Sequence, residues 1–182
     1  MIDPDGLLRH AEQLAGTGSV RPTDADLRRG ISAAYYAVFH DLTGHAATHL
    51  VGSCPQDIQN EIRRSWSHGE ISQLAEYVVD RAEILHHSPR AALPRQLEGL
   101  GPLLDVVASD STLVDSLRLF NYLQELRHSA DYDHGVEFAT WDLVQACDSA
   151  RLARRSLRDA SPAAGEALFT LLTVRRADFR QR

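Results

Sequence analysis

A guanidinium and an imidazole lie seven residues apart in the segment 127–135, which reads RHSADYDHG. If the segment is helical, Arg127 and His134 are separated by a rise of about 10.5 Å and lie on nearly the same face. Asp131 is four residues from Arg127 and three from His134, so it can pair with either of them. A guanidinium suits the negative charge of a phosphoryl oxygen, and a histidine beside acids at a helix C-terminus suits proton transfer. The residue types suit phosphate chemistry, but such a group near a helix end is most often a solvated face with weak ion pairs, and the spacing alone favours that interpretation.

A second cluster of rings precedes this segment by about ninety residues, in the run AYYAVFH. Its ring-bearing side chains are Tyr35, Tyr36, Phe39 and His40. At these spacings the rings cluster on a helix at the boundary between the core and a groove. An aromatic core with one hydrogen-bonded histidine explains the same pattern, and the residues alone favour that interpretation.

Together, the AYYAVFH run and the later LQELRHSADYDHG segment resemble the HEPN family, the higher eukaryotes and prokaryotes nucleotide-binding domain. The resemblance covers about residues 20–158 and implies a small helical bundle that dimerises. Many HEPN domains are metal-independent endoribonucleases, found as toxins beside a small nucleotidyltransferase antitoxin or in other defence systems. The resemblance therefore implies a homodimer, an RNA substrate, no metal or other cofactor, and a nucleotidyltransferase-like antitoxin as a candidate partner.

The resemblance also implies roles within the segment 127–135. Arg127 matches the arginine of the family's nuclease motif, His128 matches its polar neighbour, and His134 matches its histidine, with six residues between the two ends. Residues 130–132 resemble a subgroup with an ADYD sequence that often lacks the final histidine, so the presence of His134 favours activity. The implied catalytic residues are Arg127 and His134, with His128 or Asp131 orienting the pair.

In the implied reaction the RNA 2′-OH attacks the adjacent phosphate, which produces a 2′,3′-cyclic phosphate and a 5′-OH end and spares DNA. Arg127 would neutralise the phosphate and His134 would move protons, in a cleft shared by two protomers about a twofold axis. A row of arginines on a later helix, which includes Arg154, is either solvated surface or a track for the RNA backbone. We expect the substrate to contact Tyr132, Tyr35, Tyr36, His40 and Arg154.

Two other classes of function fit the sequence. The net charge of −6 and the ADYD resemblance favour a non-catalytic HEPN module that binds a nucleotide or docks a partner protein. A helical scaffold with only a protein partner is the other option. His45 and His49 are four residues apart and near His40, but a third ligand and a catalytic glutamate are missing, so a metal site is not expected.

The elements that must hold these side chains are predicted to be helical, because apolar residues recur at helical spacing and no alternating strand pattern is present. Helices are predicted over about 4–15, 23–50, 55–65, 67–86, 103–133, 141–158 and 162–178. Thr23 and a capping box that begins at Ser67 mark two helix starts, and Gly135 marks the end of the helix that carries Arg127. The segment 87–102, with three prolines and two glycines, is predicted to be a loop with at most a helical turn.

Length and composition predict one soluble domain, 1–182, since 43% of its residues are apolar and 24% are charged. The predicted fold is an all-α, HEPN-like antiparallel bundle with additional short helices and a C-terminal helical extension at 161–182.

All 19 basic residues are arginine, yet acids outnumber them, which argues against a broad basic surface for nucleic acid. Two cysteines are too few for a disulfide framework. With no signal peptide and no apolar run long enough for a bilayer, a cytoplasmic protein without membrane contact is expected.

Overall fold

The computed structural model describes residues 3–16, 21–88, 93 and 95–174, and this part of the chain contains eight α-helices and no strand. The helices are α1 (Pro4–Leu14), α2 (Asp24–Val51), α3 (Gln56–Arg64), α4 (His68–His87), α5 (Gly101–Ser109), α6 (Ser111–Tyr132), α7 (Thr140–Asp159) and α8 (Pro162–Val174). The prediction of an all-α bundle is confirmed. None of the described helices combines the length and the apolar character needed to cross a membrane.

Helix α2 contributes more residues to the hydrophobic core than any other described helix, and it packs against α1, α3, α6 and α7. It begins where predicted, because the Thr23 hydroxyl accepts a hydrogen bond from the Asp26 amide while the Asp26 carboxylate accepts one from the Thr23 amide. Gly30 allows α7 to approach α2 closely, since a Cβ at this position would lie 2.6 Å from a methyl carbon of Leu143. The close approach places the start of α7 beside the N-terminal half of α2.

The helix predicted over 103–133 is two helices, because the chain breaks at Asp110. The backbone of Asp110 is extended, with φ −91° and ψ 96°. Its carboxylate accepts hydrogen bonds from the amides of Leu113 and Ser161, both at 2.9 Å. One side chain therefore caps the start of α6 and holds the segment before α8. The prediction of one continuous helix was wrong, since apolar spacing on both sides of Asp110 is also compatible with an unbroken helix.

The predicted loop 87–102 is helical in part. It contains a 3-10 helix, Arg95–Leu100, and the first residues of α5, whereas residues 89–92 and 94 lie outside the described residues. Leu97 and Leu100 are buried in the hydrophobic core. Their burial explains why a segment rich in proline and glycine still forms a helical turn here.

The C-terminal helix α8 packs against α5, and its Leu168 and Leu171 are buried in the shared hydrophobic core. The indole Nε1 of Trp66 donates a hydrogen bond to the Leu172 carbonyl at 3.1 Å. Helix α8 is described as far as Val174, and the last four residues of the predicted helix 162–178 lie outside the described part of the chain. Helix α8 thus also fixes Trp66, just before α4 begins.

Candidate active site

Arg127 lies in the last turns of α6, with its guanidinium between two tyrosine rings. The guanidinium carbon is 5.5 Å from the ring centroid of Tyr36 and 5.4 Å from that of Tyr132. Nη2 donates a hydrogen bond to the Tyr36 hydroxyl at 3.1 Å, and only 17% of the side chain is exposed. Burial alone would lower the pKa of Arg127, but Asp131 and the two tyrosines raise it above its usual value. The group is therefore a fixed, permanent cation.

Asp131 pairs with Arg127, which is one of the two partners that its position in the sequence allows. Its Oδ2 lies 2.6 Å from Nε of Arg127. This contact is an ion pair and not an aligned hydrogen bond, because the buried N–H of Nε is not directed at an acceptor. Oδ1 accepts a hydrogen bond from the hydroxyl of Ser32 on α2. Asp131 thereby fixes Arg127 relative to α2, and among the described residues it forms no ion pair with His134.

The end of α6 is held by Arg28, which lies near the start of α2. Its guanidinium donates hydrogen bonds to the carbonyl oxygens of Ala130 and Asp133, each at 3.0 Å, and to that of Val136. Its Nε also pairs with Asp24 at 2.7 Å. The last carbonyls of a helix have no partner within the helix, so a cation here stabilises the C-terminus. Sequence reasoning missed this role, because an arginine early in a helix is usually solvated.

His134 does not continue the helix that carries Arg127. Helix α6 ends at Tyr132, Asp133 is its C-cap, and His134 lies in the turn that follows. The amide of Gly135 donates to the Asp133 carboxylate at 2.9 Å, which closes this turn. The expectation that Arg127 and His134 share one helical face is therefore corrected. His134 is exposed and makes no hydrogen bond or ion pair with the other described residues.

His128 and Tyr132 form the exposed rim of the site. Their ring centroids are 5.0 Å apart, and the rings are tilted by 49°. Tyr132 is 62% exposed while it also contacts Arg127. An exposed ring fixed beside a cation is a suitable surface for stacking a nucleic-acid base.

Tyr35 is a core residue and offers no surface to a ligand, which corrects its assignment as a substrate contact. Its side chain is fully buried, and its ring centroid is 5.5 Å from that of Phe120. Its hydroxyl lies 2.6 Å from Nδ1 of His68 on α4. Burial raises the pKa of Tyr35 above its usual value, so the phenol keeps its proton.

His68 belongs to the site although the sequence marked it only as part of a helix start. The capping box is present, with the Ser67 hydroxyl accepting from the Glu70 amide, and it places His68 at the first position of α4. The His68 ring centroid is 4.0 Å from that of Phe39 and 5.6 Å from that of Tyr36. No local signal could show these contacts, because they depend on how α4 packs on α2.

The imidazole of His68 is neutral at neutral pH. Burial lowers its pKa, and the charges of Arg127 and His40 lower it further. The buried hydroxyl of Tyr35 needs an acceptor, and Nδ1 of His68 is its hydrogen-bond partner among the described residues. We therefore assign Tyr35 as the donor, which places the ring hydrogen of His68 on Nε2.

Tyr36 connects Arg127 to His40. Its hydroxyl accepts from Arg127, and its ring is stacked on that of His40, with centroids 6.0 Å apart and planes 21° apart. Burial lowers the pKa of His40, and the charge of Arg63 lowers it further. Tyr36 and Tyr132 therefore flank Arg127, and His40 lies against the ring of Tyr36, whereas Tyr35 is buried in the core.

Arg154 lies apart from these side chains, in a buried ion-pair network. Its Nε is 2.9 Å from Oδ2 of Asp41, and its Nη2 is 2.7 Å from Oδ1 of Asp5. Burial alone would lower the pKa of Arg154, but its hydrogen bonds to these two carboxylates raise it. Arg158 shares Asp41 at 3.3 Å. The assignment of Arg154 to the substrate surface is corrected, since its guanidinium is occupied by carboxylates within the bundle.

The histidines considered for a metal site are not assembled into one. Nδ1 of His45 lies 2.8 Å from the Asp41 carbonyl, and the His49 ring contacts Phe169. In the part of the chain that the structure describes, no group of three or more His, Cys, Asp or Glu side chains is arranged to hold a metal ion.

No family model, no curated protein and no solved structure matches this chain.

Proposed function

We propose that the chain is a metal-independent endoribonuclease in which the RNA 2′-OH attacks the adjacent phosphate. The observation that carries the proposal is the permanent cation of Arg127, held between Tyr36 and Tyr132 at the exposed rim. A preorganised guanidinium stabilises the charge that develops on phosphoryl oxygens. Tyr132 beside it offers a face on which a base can stack.

In the proposed reaction the 2′ oxygen forms a bond to phosphorus, and the bond from phosphorus to the 5′ oxygen breaks. A base takes the proton of the 2′-OH, and an acid gives a proton to the departing 5′ oxygen. The products are a 2′,3′-cyclic phosphate and a 5′-OH end. We assign the proton transfers to His134 and the phosphate contact to Arg127, with Asp131 fixing the guanidinium and His128 supporting the rim.

The exposed turn that carries His134 fits an active site shared by two copies of the chain. Helix α7 follows this turn and presents Trp141, Val144 and Leu152 to solvent. Their spacing places the three apolar side chains on one face of the helix. Exposed apolar side chains on one helix face are typical of an interface, and the exposed Asp148 with its partner Arg151 lies among them, so we propose that α7 forms a twofold homodimer contact.

The test is cleavage of a purified RNA by the wild type, Arg127→Ala and His134→Ala, with EDTA present. We expect the wild type to produce 2′,3′-cyclic phosphate and 5′-OH ends and to leave an all-deoxy strand of the same sequence intact. Each substitution is expected to lower the rate by at least about 100-fold, because it removes the phosphate contact or the proton carrier. Equal cleavage by all three proteins would indicate a contaminating nuclease, and no cleavage by the wild type overturns the proposal.

Mixing the two inactive variants tests whether the site is shared. If Arg127 of one protomer works with His134 of the other, a mixed dimer contains one fully intact site and one doubly altered site. Random exchange of protomers is then expected to restore about a quarter of the wild-type activity. If both residues act within one protomer, every site in the mixture lacks one of them, and activity is not restored.

The second candidate function is a non-catalytic module that binds a nucleotide or docks a partner protein. The observation that favours it is the position of His134, which lies off α6 in an exposed turn without a hydrogen bond to the other described residues. A catalytic histidine is usually oriented by a neighbouring acceptor. A wild-type protein that binds RNA fragments through Arg127 but cleaves none supports this second function.

A further inference from the structure

A cleft of about 570 Å³ lies between α2, α3 and the start of α4, next to the ring of Tyr36. This volume is in the range of small-molecule binding sites. Its polar lining consists of Arg63, Arg64, His40, His68 and Asn60, and Trp66 and Phe39 add apolar rings. None of the described residues that line it is acidic, although the chain has a net charge of −6. Arg64 pairs with Glu61 at 2.7 Å, so the cation of the lining that favours an anionic ligand is Arg63.

Arg63 is a half-buried cation without a counterion in the part of the chain that the structure describes. Its Nε is buried without a hydrogen-bond partner, and its guanidinium carbon lies 3.8 Å from the place of a Cβ on Gly44. The other described arginines that are not exposed each pair with a carboxylate: Arg28, Arg81, Arg127 and Arg154. Removing a cation from water is unfavourable unless an anion or acceptors replace the water. The cleft provides the space for such an anion.

Two neutral side chains add hydrogen-bond donors to the cleft. Asn60 accepts a hydrogen bond from Gln56 through Oδ1 at 3.3 Å, which leaves its Nδ2 hydrogens for a ligand. His68 accepts from Tyr35 through Nδ1, so its Nε2 is also a donor. These donors, together with the Arg63 guanidinium, which pairs with no carboxylate of the described residues, suit a phosphate group, which has only acceptor oxygens.

A chain of side-chain contacts links the cleft to Arg127. Tyr36 accepts a hydrogen bond from Arg127, its ring stacks on His40, and His40 lines the cleft together with Arg63. Two cations therefore stand at the two ends of a stacked aromatic surface. Sites for single-stranded nucleic acid combine these features, because bases stack on rings while cations hold successive phosphates.

We propose that the cleft, anchored by Arg63, binds a second phosphate of the single-stranded RNA whose scissile phosphate lies at Arg127. The identity of the ligand as RNA rests on the proposed function, but phosphate binding in the cleft does not require cleavage. The bound phosphate supplies the counterion that Arg63 lacks and accepts hydrogen bonds from His68 and Asn60. A substrate held at two phosphates is fixed in register relative to Arg127.

The test is binding of a fluorescent 2′-O-methyl tetranucleotide, which carries phosphates but has no free 2′-OH for attack. Anisotropy titrations at several salt concentrations compare the full-length wild type, Arg63→Gln and Arg118→Gln, the last altering an exposed arginine of α6 outside the cleft. We expect Arg63→Gln to weaken binding about tenfold at low salt. The slope of log Kd against log salt is expected to fall by about 0.7, the contribution of one phosphate contact to a single strand. Arg118→Gln should bind like the wild type.

The possible results distinguish the second phosphate site from the ribonuclease activity. No binding by the wild type, equal binding by Arg63→Gln, or equal weakening by both variants overturns the second phosphate site, whether or not RNA is cleaved. Binding that depends on Arg63, without any RNA cleavage, supports the phosphate site and overturns only the ribonuclease. If Arg63→Gln does not fold, Arg63→Lys keeps the charge, and its loss of the planar fork is expected to weaken binding about threefold. Unchanged binding by a folded Arg63→Lys then counts against the proposal.

Discussion

Arg127→Lys is expected to lower RNA cleavage by about 100-fold, although the substitution keeps the positive charge. The planar guanidinium lies between the rings of Tyr36 and Tyr132, donates to the Tyr36 hydroxyl and pairs with Asp131. A point-like ammonium cannot lie between two rings as a plane or present a fork to two phosphate oxygens. Loss of one preorganised donor at a developing anion typically costs 100- to 1000-fold in rate, of the order of 3 kcal/mol. Single-turnover cleavage of a labelled RNA at saturating protein measures this loss.

Arg118→Lys is the matched control for this substitution. Arg118 is an arginine of the same helix, is exposed, and pairs with Glu83 and Asp115 on the surface. Because exposed ion pairs contribute little, its cleavage rate is expected to stay within about twofold of the wild type. Wild-type cleavage by Arg127→Lys would contradict a role for the guanidinium plane. Equal losses in the two variants would show that the assay responds to surface charge in general.

The sequence predicts helix starts well where one local interaction defines them. Thr23 and Ser67 each begin a helix through a capping box closed within four residues, so the composition of that short segment is sufficient. Asp110 also has a local cap, on the Leu113 amide, but the apolar spacing on both sides of it is equally compatible with one unbroken helix. Its carboxylate also binds the amide of Ser161, fifty-one residues later, and this contact exists only after α8 has packed.

The candidate site was predictable only in its local part. The pair of Arg127 with Asp131 follows from a spacing of four residues on one helix. The spacing of residues does not show which of Tyr35 and Tyr36 is buried. Two adjacent residues on a helix point about 100° apart, and the packing of α4 decides which of the two faces the core. His68 enters the site only through that packing, and its ring takes the buried hydroxyl of Tyr35.

Arg154 shows why a row of charges is a weak signal for a binding surface. Helical spacing correctly predicts that arginines recur along α7, but it does not show which side chains from other elements meet them. Asp5 from α1 and Asp41 from α2 approach Arg154 in the folded chain and occupy its donors. For Arg63 the sequence is equally uninformative. It does not show that, among the described residues, no carboxylate pairs with Arg63, and this is what leaves its guanidinium available to a ligand.

Arg28→Met is expected to lower the free energy of unfolding by about 2–3 kcal/mol and to shift the midpoint of thermal unfolding down by roughly 5–10 °C. The substitution keeps an apolar stem of similar length but removes the donors to the carbonyls of Ala130, Asp133 and Val136. These carbonyls end α6 and form the following turn, so their release also frees His134. RNA cleavage, measured at a temperature where the variant is folded, is therefore expected to fall at least about tenfold.

Arg29→Met separates this effect from a general change in charge. Arg29 is the neighbouring residue of α2 and is exposed. Both substitutions remove a cation from the N-terminal part of a helix, where the helix dipole disfavours cations, so an effect of charge alone would be small and slightly stabilising in both. A loss of stability in Arg28→Met but not in Arg29→Met assigns the effect to the contacts of Arg28, which are its carbonyl hydrogen bonds and its exposed pair with Asp24, and not to charge in general. Hydrogen exchange should then be faster at the amides of residues 133–136 in Arg28→Met, because this turn loses its anchor, while the amides of α2 stay protected. Unchanged exchange in the turn would show that its own hydrogen bond, from Gly135 to Asp133, is sufficient to hold His134 in place.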